Sequence, residues 1–179
     1  LDIMRRLLAA GADPIGAGDL DDMGVIGWAT VLQAAPDEPQ VAFEQRRLAV
    51  ELLLQQGAKH TIWSAIAVGD VEVIGAIVEG ESATLHARMS QFGRHRSPLH
   101  VAVAGTGRPQ SGPFEDVVRL LLEFGARLDV EDDDGLTPLD VAALGEGVDL
   151  TSMLLDAGAR LTLPAALCLG RADDITYLA

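Results

Sequence analysis

Residues 134–160, DGLTPLDVAALGEGVDLTSMLLDAGAR, decide the fold. They indicate a turn, a short helix, a second turn, a second helix and a glycine stop. Asp134-Gly135 is a turn signal, because glycine tolerates the positive φ that tight turns require. Pro138 suits the first position of a helix, where its missing N–H costs nothing, and Gly158 suits a left-handed helix end. One helix pair cannot bury its own apolar face, so the pattern predicts further copies on either side.

The apolar residues of this stretch recur at helical spacing. They are Leu139, Ala142 and Ala143 in the first helix, and Leu150, Leu154 and Leu155 in the second. Hydrophobic residues make up 49% of the 179-residue chain, whereas aromatic residues make up only 4%. The predicted core is therefore aliphatic and rich in alanine, which suits thin, closely stacked helices.

A Gly-Ala ending after an apolar helix recurs along the chain, as repeats require. Its glycines are Gly11, Gly57, Gly125 and Gly158, at intervals of 46, 68 and 33 residues. The 33-residue interval is one unit. The 68-residue interval contains one further copy, and the 46-residue interval is one unit with an insertion. The predicted units are 1–14 (partial), 15–60, 61–90, 91–130, 131–161 and 162–179 (partial). Because the chain begins inside one unit and stops inside another, we expect it to be a segment of a longer protein.

Two of the units are longer than the fifth. The fourth has 27 residues from its first-helix proline to its final glycine, against 20 in the fifth, and the second has the same excess. The turn-forming stretch 105–113, GTGRPQSGP, and an irregular link at 36–40, PDEPQ, mark the extra residues. Such loops are either tolerated surface insertions or places where function is carried.

Charge and composition exclude several classes of function. The net charge of −14 argues against binding a nucleic-acid backbone or an anionic membrane, both of which need excess Lys and Arg. No apolar run is long enough for a membrane span, and no signal pattern precedes the first helix. The single cysteine, Cys168, excludes an intrachain disulfide and favours a reducing compartment, which indicates a cytoplasmic location.

Some single residues also have expected places. Ile3, Leu7 and Leu8 are predicted to share the apolar face of the first helix, and Cys168 is predicted to pack in the core. Trp63 is either buried between repeats or an interface anchor, and Trp28 belongs to the poorly patterned first half of the second unit.

Two phrases in the chain resemble the first-helix signature of the ankyrin-repeat family. They are Ser97-Pro98-Leu99-His100-Val101-Ala102 and Thr137-Pro138-Leu139-Asp140-Val141-Ala142. Combined with the 33-residue period, they imply an all-α solenoid of helix-turn-helix units with projecting turns or hairpins. About four full repeats and a partial repeat at each end are expected. Tetratricopeptide repeats are also helical pairs, but they lack this proline start and Gly-Ala stop.

The resemblance implies a binding surface made of turn tips and first helices. In the family's geometry Asp133, Asp134 and Leu136 face the groove with Leu144, while Arg94 and Arg96 stand at the neighbouring tip. The acidic run 131–134 is a solvated turn, a contact surface for a basic partner, or an ion site, although the residue spacing of a calcium loop is absent. The basic patch 94–96 docks an acidic partner or, as we favour, pairs with the chain's own carboxylates.

The family phrase also assigns a structural role to one histidine. The ankyrin first-helix signature contains a histidine, and His100 occupies its position. In the family this histidine bonds to the backbone of a neighbouring turn, so we expect His100 to be a scaffold residue. Asp140 replaces that histidine in the fifth unit, and its carboxylate can accept hydrogen bonds instead. We therefore expect the two turns to be held differently.

No constellation in the sequence carries catalysis. His86, His95 and His100 lie near one another, but a metal site needs three or four convergent ligands at tighter spacing. No nucleophile stands in a G-x-S-x-G elbow, and no glycine-rich phosphate loop follows a strand. We expect no enzyme activity, cofactor or metal.

The function implied is a protein–protein interaction scaffold. Its partner is expected to be a protein, with a basic surface as one possibility, and the chain is expected to be a monomer. One alternative is the regulatory or targeting domain of a larger enzyme or effector whose catalytic domain lies outside this chain. A purely structural spacer is the other.

Overall fold

The computed structural model describes residues 1–16, 25–27, 39–106, 114–145 and 148–170. The α-helices with defined bounds are α1 Asp2–Ala9, α2 Pro39–Gln55, α3 Ile62–Val68, α4 Val71–Gly80, α5 Pro98–Thr106, α6 Phe114–Glu123, α7 Pro138–Leu144, α8 Val148–Asp156 and α9 Leu163–Cys168. Residues 25–27 are also helical. Two 3-10 segments, Ser82–His86 and Gln91–Gly93, precede α5. Within these ranges there is no strand, and the predicted all-α fold is confirmed.

The helices form two stacked layers. The short first helices pack in chain order, α3 on α5, α5 on α7 and α7 on α9. The second helices form the other layer, with α4 on α6 and α6 on α8, and each pairs with its own first helix. Since each helix pair packs mainly on its neighbours, the array is the ankyrin-type solenoid that the sequence predicted. The unit boundaries stay a prediction.

Threonine caps start three of the first helices. Thr61, Thr137 and Thr162 each have extended backbone, and each side chain accepts a hydrogen bond from an N–H three residues later. The distances are 3.2, 3.3 and 3.3 Å, respectively. Side-chain caps of this kind satisfy backbone donors that the helix itself leaves free. The starts of these three helices are therefore determined by residues that are neighbours in the sequence.

Left-handed glycines end four of the second helices, α1, α2, α6 and α8, as the sequence predicted. Gly11, Gly57, Gly125 and Gly158 have φ values of 89, 94, 85 and 95°. The alanine after each glycine donates its N–H to a carbonyl five residues earlier, for example Ala159 to Leu154 at 2.9 Å. This is the Schellman arrangement, in which glycine avoids the clash that a side chain meets at positive φ.

One apolar core runs through most of the array. It extends from Ile62 on α3 to Ala165 on α9, and it includes the predicted residues Leu139, Ala142, Ala143, Leu150 and Leu154. Trp63 is buried in it, which places this tryptophan between repeats. The residues predicted for the first half of the second unit, Trp28 among them, lie outside the described ranges apart from 25–27.

The opening helix packs through a different face from the one predicted. Leu1, Met4 and Leu8 contact a small core around Ile26 and Leu53, whereas Ile3 and Leu7 are 73% and 56% exposed. Residues spaced by three and four lie on one side of a helix, and Leu7 is turned about 100° from Leu8. The prediction that Ile3 and Leu7 share the packed face with Leu8 was therefore wrong.

Cys168 is exposed, so the prediction that it packs in the core was also wrong. The helix α9 contacts α7 through a face that carries the buried Ala165 and Ala166. Cys168 lies two residues after Ala166, about 200° around the helix, so its side chain is on the opposite side of α9 from that of Ala166.

The two longer units meet through a pair of aromatic rings. Phe43 on α2 and Phe114 at the start of α6 have ring centroids 6.0 Å apart and planes at 71°. The contact bypasses α4, which comes between α2 and α6 in the order of second helices. The helix α4 has only 10 residues, whereas α2 has 17. The helix α2 starts at Pro39, so the predicted irregular link 36–40 is helical at its end. The helix α5 extends to Thr106, so the predicted loop 105–113 starts as helix, and residues 107–113 lie outside the described ranges.

Candidate protein-binding site

The turn before α5 and the turn before α7 lie side by side. The N–H of Asp133 donates to the carbonyl of Arg94 at 3.0 Å and joins the two turns directly. Within its own turn, the N–H of Asp132 donates to the carbonyl of Leu136 at 2.9 Å. The topology thus brings the predicted basic patch 94–96 against the predicted acidic run 131–134.

Asp132 is the buried centre of the second turn. One carboxylate oxygen accepts hydrogen bonds from the N–H groups of Asp134 and Leu136 at 3.0 and 3.1 Å, and the other accepts from Arg96 Nε at 3.2 Å. Burial opposes ionisation, but these donors together hold the pKa of Asp132 below its usual value. This part of the acidic run is therefore structural and not a solvated surface.

Two ion pairs and one histidine–carboxylate hydrogen bond connect the two turns. Arg94 pairs with Asp134, His95 Nδ1 lies 2.8 Å from Asp133 Oδ1, and Arg96 pairs with the buried Asp132. The basic patch thus pairs with the chain's own carboxylates, which was the favoured alternative. The first two pairs are about half exposed, so each contributes little to stability, while their side chains remain open to solvent.

The first turn holds two residues in a strained conformation. Arg94 and His95 have φ values of 57 and 47°, a region that non-glycine residues rarely adopt. In the second turn the left-handed position is taken by Gly135, with φ of 73°. Each left-handed non-glycine residue costs about 1–2 kcal/mol, which contacts between the turns offset.

His100 joins the fourth unit to the fifth, as the family resemblance implied. Its Nδ1 accepts from the N–H of Ser97 at 3.2 Å, so Nε2 carries the proton and donates to the carbonyl of Leu136 at 2.9 Å. Burial lowers the pKa of His100, and this outweighs the opposing effects of the Leu136 carbonyl and of Asp132. The neutral, fully bonded ring is a scaffold residue.

Asp140 makes the equivalent connection between the fifth and sixth units with the opposite polarity. One oxygen accepts from the N–H and the hydroxyl of Thr137 at 2.9 and 2.7 Å. The other accepts from the hydroxyl of Thr162 and from the N–H of Ala165, the latter at 3.2 Å. The carboxylate accepts from the next unit, whereas His100 donates to it. The two turns are therefore held differently, as expected.

The free energy of unfolding is expected to fall as the pH is lowered below about 6.5, the ordinary pKa of a histidine side chain. Burial is the largest cause of a lowered pKa at both His100 and His60. A folded-state pKa below the unfolded one means that the neutral forms' contribution is fully present above about 6.5 and is lost as the pH falls towards the folded values. Urea midpoints between pH 7.5 and 5.5 measure this. His100→Gln with His60→Gln is expected to flatten the profile, and an unchanged slope in the double variant would contradict the assignment.

The structure places the six predicted binding residues in two groups. Arg94, Arg96, Asp133, Asp134 and Leu136 lie at the two joined turns. Leu144 is 54% exposed and lies at the far end of α7 from Leu136. No described group of three or more His, Cys, Asp or Glu side chains is arranged to hold a metal ion. None of the described helices has the length and apolar character needed to cross a membrane.

Sequence reasoning missed a separation of charge along the chain. Residues 82–114 contain no Asp or Glu, although the whole chain has 27 acidic residues. The same segment carries four arginines and three of the four histidines. A count of charges along the chain finds this basic segment, which includes the first turn.

Stacked helix pairs with projecting turns define a repeat solenoid, a class whose members bind along an extended surface. A family model described as ankyrin repeats in three copies matches residues 41–165. The chain therefore belongs to the ankyrin-repeat family, whose members are generally non-catalytic protein–protein interaction modules. It is 41% identical over 70 residues to the human protein named Ankyrin repeat and SOCS box protein 16. That match covers 39% of this chain and 14% of the relative.

Proposed function

We propose that this array is a non-catalytic scaffold that binds a protein partner through the groove and the turn tips. The observation that carries the proposal is the pair of joined turns. Their backbones are held by Asp132 and His100, and the outer pairs of Arg94 and His95 remain open to solvent. Side chains held on a rigid frame lose little entropy on binding, so more of the contact energy appears as affinity.

The proposed contact surface combines charge and an apolar anchor. Asp133 and Asp134 each have carboxylate lone pairs beyond those used by His95 and Arg94, and these can accept from cations on a partner. Together with the net charge of −14, this favours a partner with a basic surface. Leu144 is exposed, and its side chain is the proposed apolar anchor in the groove. A monomeric chain would leave this surface free.

Neutralising the tip is expected to weaken capture of a partner by about tenfold, roughly 1.4 kcal/mol, without lowering thermal stability by more than a few degrees. The variant is Asp133→Asn with Asp134→Asn, because it removes charge and keeps shape. The partner is first captured from the native host and identified by mass spectrometry, and its dissociation constant is then measured by titration.

Asp149→Asn with Asp156→Asn is the matched control, since both residues are exposed on α8 and the charge change is equal. Equal loss of affinity in the two double variants would mean that net charge, not the tip, determines binding. Leu144→Ser tests the groove separately, and an unchanged affinity would remove it from the proposed surface.

A second candidate is the regulatory or targeting domain of a larger enzyme or effector. The observation that favours it is the relative's name, which pairs ankyrin repeats with a SOCS box, and the chain's 14% share of that relative. The full-length gene tests this candidate. A catalytic motif in a segment outside the repeats would support it, and repeats alone would contradict it.

A further inference from the structure

A cavity of about 270 Å³ lies between the connector that follows α4 and the connector that follows α6. Its apolar lining comes from Leu85, Leu99, Ala126 and Val130. The first three are buried, so the floor belongs to the rigid core of the array and not to a loop tip. A floor of this kind accepts an aliphatic side chain, because burial removes apolar surface from water.

The rim of this cavity carries one histidine and two arginines. His86, Arg88 and Arg127 line it, and all three are exposed. Arg88 Nη2 donates to the carbonyl of Glu131 at 2.6 Å, which orients the guanidinium and leaves its other N–H donors available. Among the described residues Arg88 makes no ion pair.

The other arginine of the rim is only loosely held. Arg127 pairs with Asp129 at 3.2 Å, but the two side chains are 62% and 77% exposed. An exposed pair of this kind is weak and exchanges readily with another carboxylate. The Arg127 guanidinium can therefore turn towards an anion in the cavity, while Arg88 offers the donors that its bond to Glu131 leaves available.

The surrounding charge makes this rim unusual in the molecule. The chain carries −14 overall, whereas the floor residues Leu85 and Leu99 and the rim residues His86 and Arg88 belong to the acid-free segment 82–114. Arg88 and Arg127 thus give a negative group two cationic partners beside an apolar floor.

We propose that this cavity binds the C-terminal residue of a partner polypeptide whose last side chain is aliphatic. The side chain lies on the floor formed by Leu85 and Leu99, and the carboxylate accepts hydrogen bonds from Arg88 and Arg127. Arginine and carboxylate match in geometry and form strong charge-assisted bonds. This site is separate from the turn tips, so it can fail or hold independently of the proposed groove binding.

A C-terminal residue fits better than an internal acidic residue. In an extended peptide successive side chains point to opposite faces, so an internal segment needs residues two apart to present a carboxylate and an aliphatic group together. A C-terminal residue carries both groups by itself, which suits a cavity of about 270 Å³.

The test uses N-acetyl-leucine as the probe and N-acetyl-leucinamide as its uncharged match, titrated into the isotope-labelled chain and followed by amide NMR shifts. We expect saturable shifts at Leu85, Ala126 and Arg127 with the acid, and about tenfold weaker binding of the amide, which lacks the charge-assisted bonds. Equal binding of the two probes, or shifts confined to other residues, overturns the proposal. Binding of blocked acetyl-Asp-Ala-Leu-amide as tight as that of the acid overturns the choice of a C-terminal residue.

Two variants locate the anion on the rim. Arg127→Gln and Arg88→Gln are each expected to weaken N-acetyl-leucine binding about tenfold, because each loses one charged donor. Arg119→Gln, an exposed site on α6, is the control and is expected to change nothing. If Arg88→Gln disturbs the turn through its bond to Glu131, Arg127→Gln alone decides. Unchanged binding in Arg127→Gln overturns the site.

Discussion

Replacing Asp140 by alanine is expected to lower the free energy of unfolding by about 3 kcal/mol. The carboxylate is 1% exposed and accepts four hydrogen bonds, two from Thr137 and two from the sixth unit. Alanine leaves these donors without an acceptor in a place where water is largely excluded. Urea denaturation measures the total loss, and hydrogen exchange at α9 shows whether the end of the array separates first.

Two controls make this result specific. Asp156→Ala removes the same charge from an exposed position on α8 and is expected to change stability by less than about 0.5 kcal/mol. Asp140→Asn keeps one acceptor oxygen in nearly the same shape, so it is expected to recover part of the loss. Equal midpoints for Asp140→Ala and Asp156→Ala would contradict the role of this carboxylate.

Replacing Phe114 by alanine is expected to lower the free energy of unfolding by about 4 kcal/mol. The ring is 4% exposed at the start of α6, so its removal leaves a cavity in the second-helix layer. The edge-on contact with Phe43 is lost as well. Phe114→Leu keeps most of the volume and is expected to cost clearly less, which separates the volume from the ring contact.

A double-mutant cycle isolates the aromatic contact. Phe43 is half-buried, so Phe43→Ala is expected to lower the free energy of unfolding less than Phe114→Ala does. Combined with Phe114→Ala, it is expected to give a coupling energy of about 1 kcal/mol in urea denaturation. Additive single effects would mean that the two longer units are not joined through these rings.

Several helix starts and ends and the order of the helices could be predicted from the sequence, whereas the start of α2 and the end of α5 were misplaced. Pro138 and Thr137 mark a helix start, and Gly158 marks a helix end, through interactions that involve only a few neighbouring residues. The repeat of these signals at 33 residues then predicts stacking, because no single unit can bury its apolar face. Where both the start signal and the stop signal are present, as in residues 137–158, the predicted helix pair agrees with the structure.

The errors concern residues whose surroundings come from distant parts of the chain. The faces of Ile3, Leu7 and Cys168 were misjudged, because a helical pattern gives the spacing of apolar residues but not the direction of the neighbour. Asp132 stands in an acidic run for which a solvated turn, a contact surface and an ion site were all open, and its burial appears only when Arg96 and the N–H of Leu136 are placed around it.

The sequence by itself determined the ankyrin family and the all-α repeat architecture. Only the tertiary structure decided which charges meet. Stacking places residues 94–96 beside 132–134, some 38 positions along the chain, and it joins a basic patch and an acidic run through two ion pairs and one histidine–carboxylate hydrogen bond. The physical reason is that turn and cap signals act over a few residues, whereas the partner of a charged side chain is set by the packing of one unit on the next.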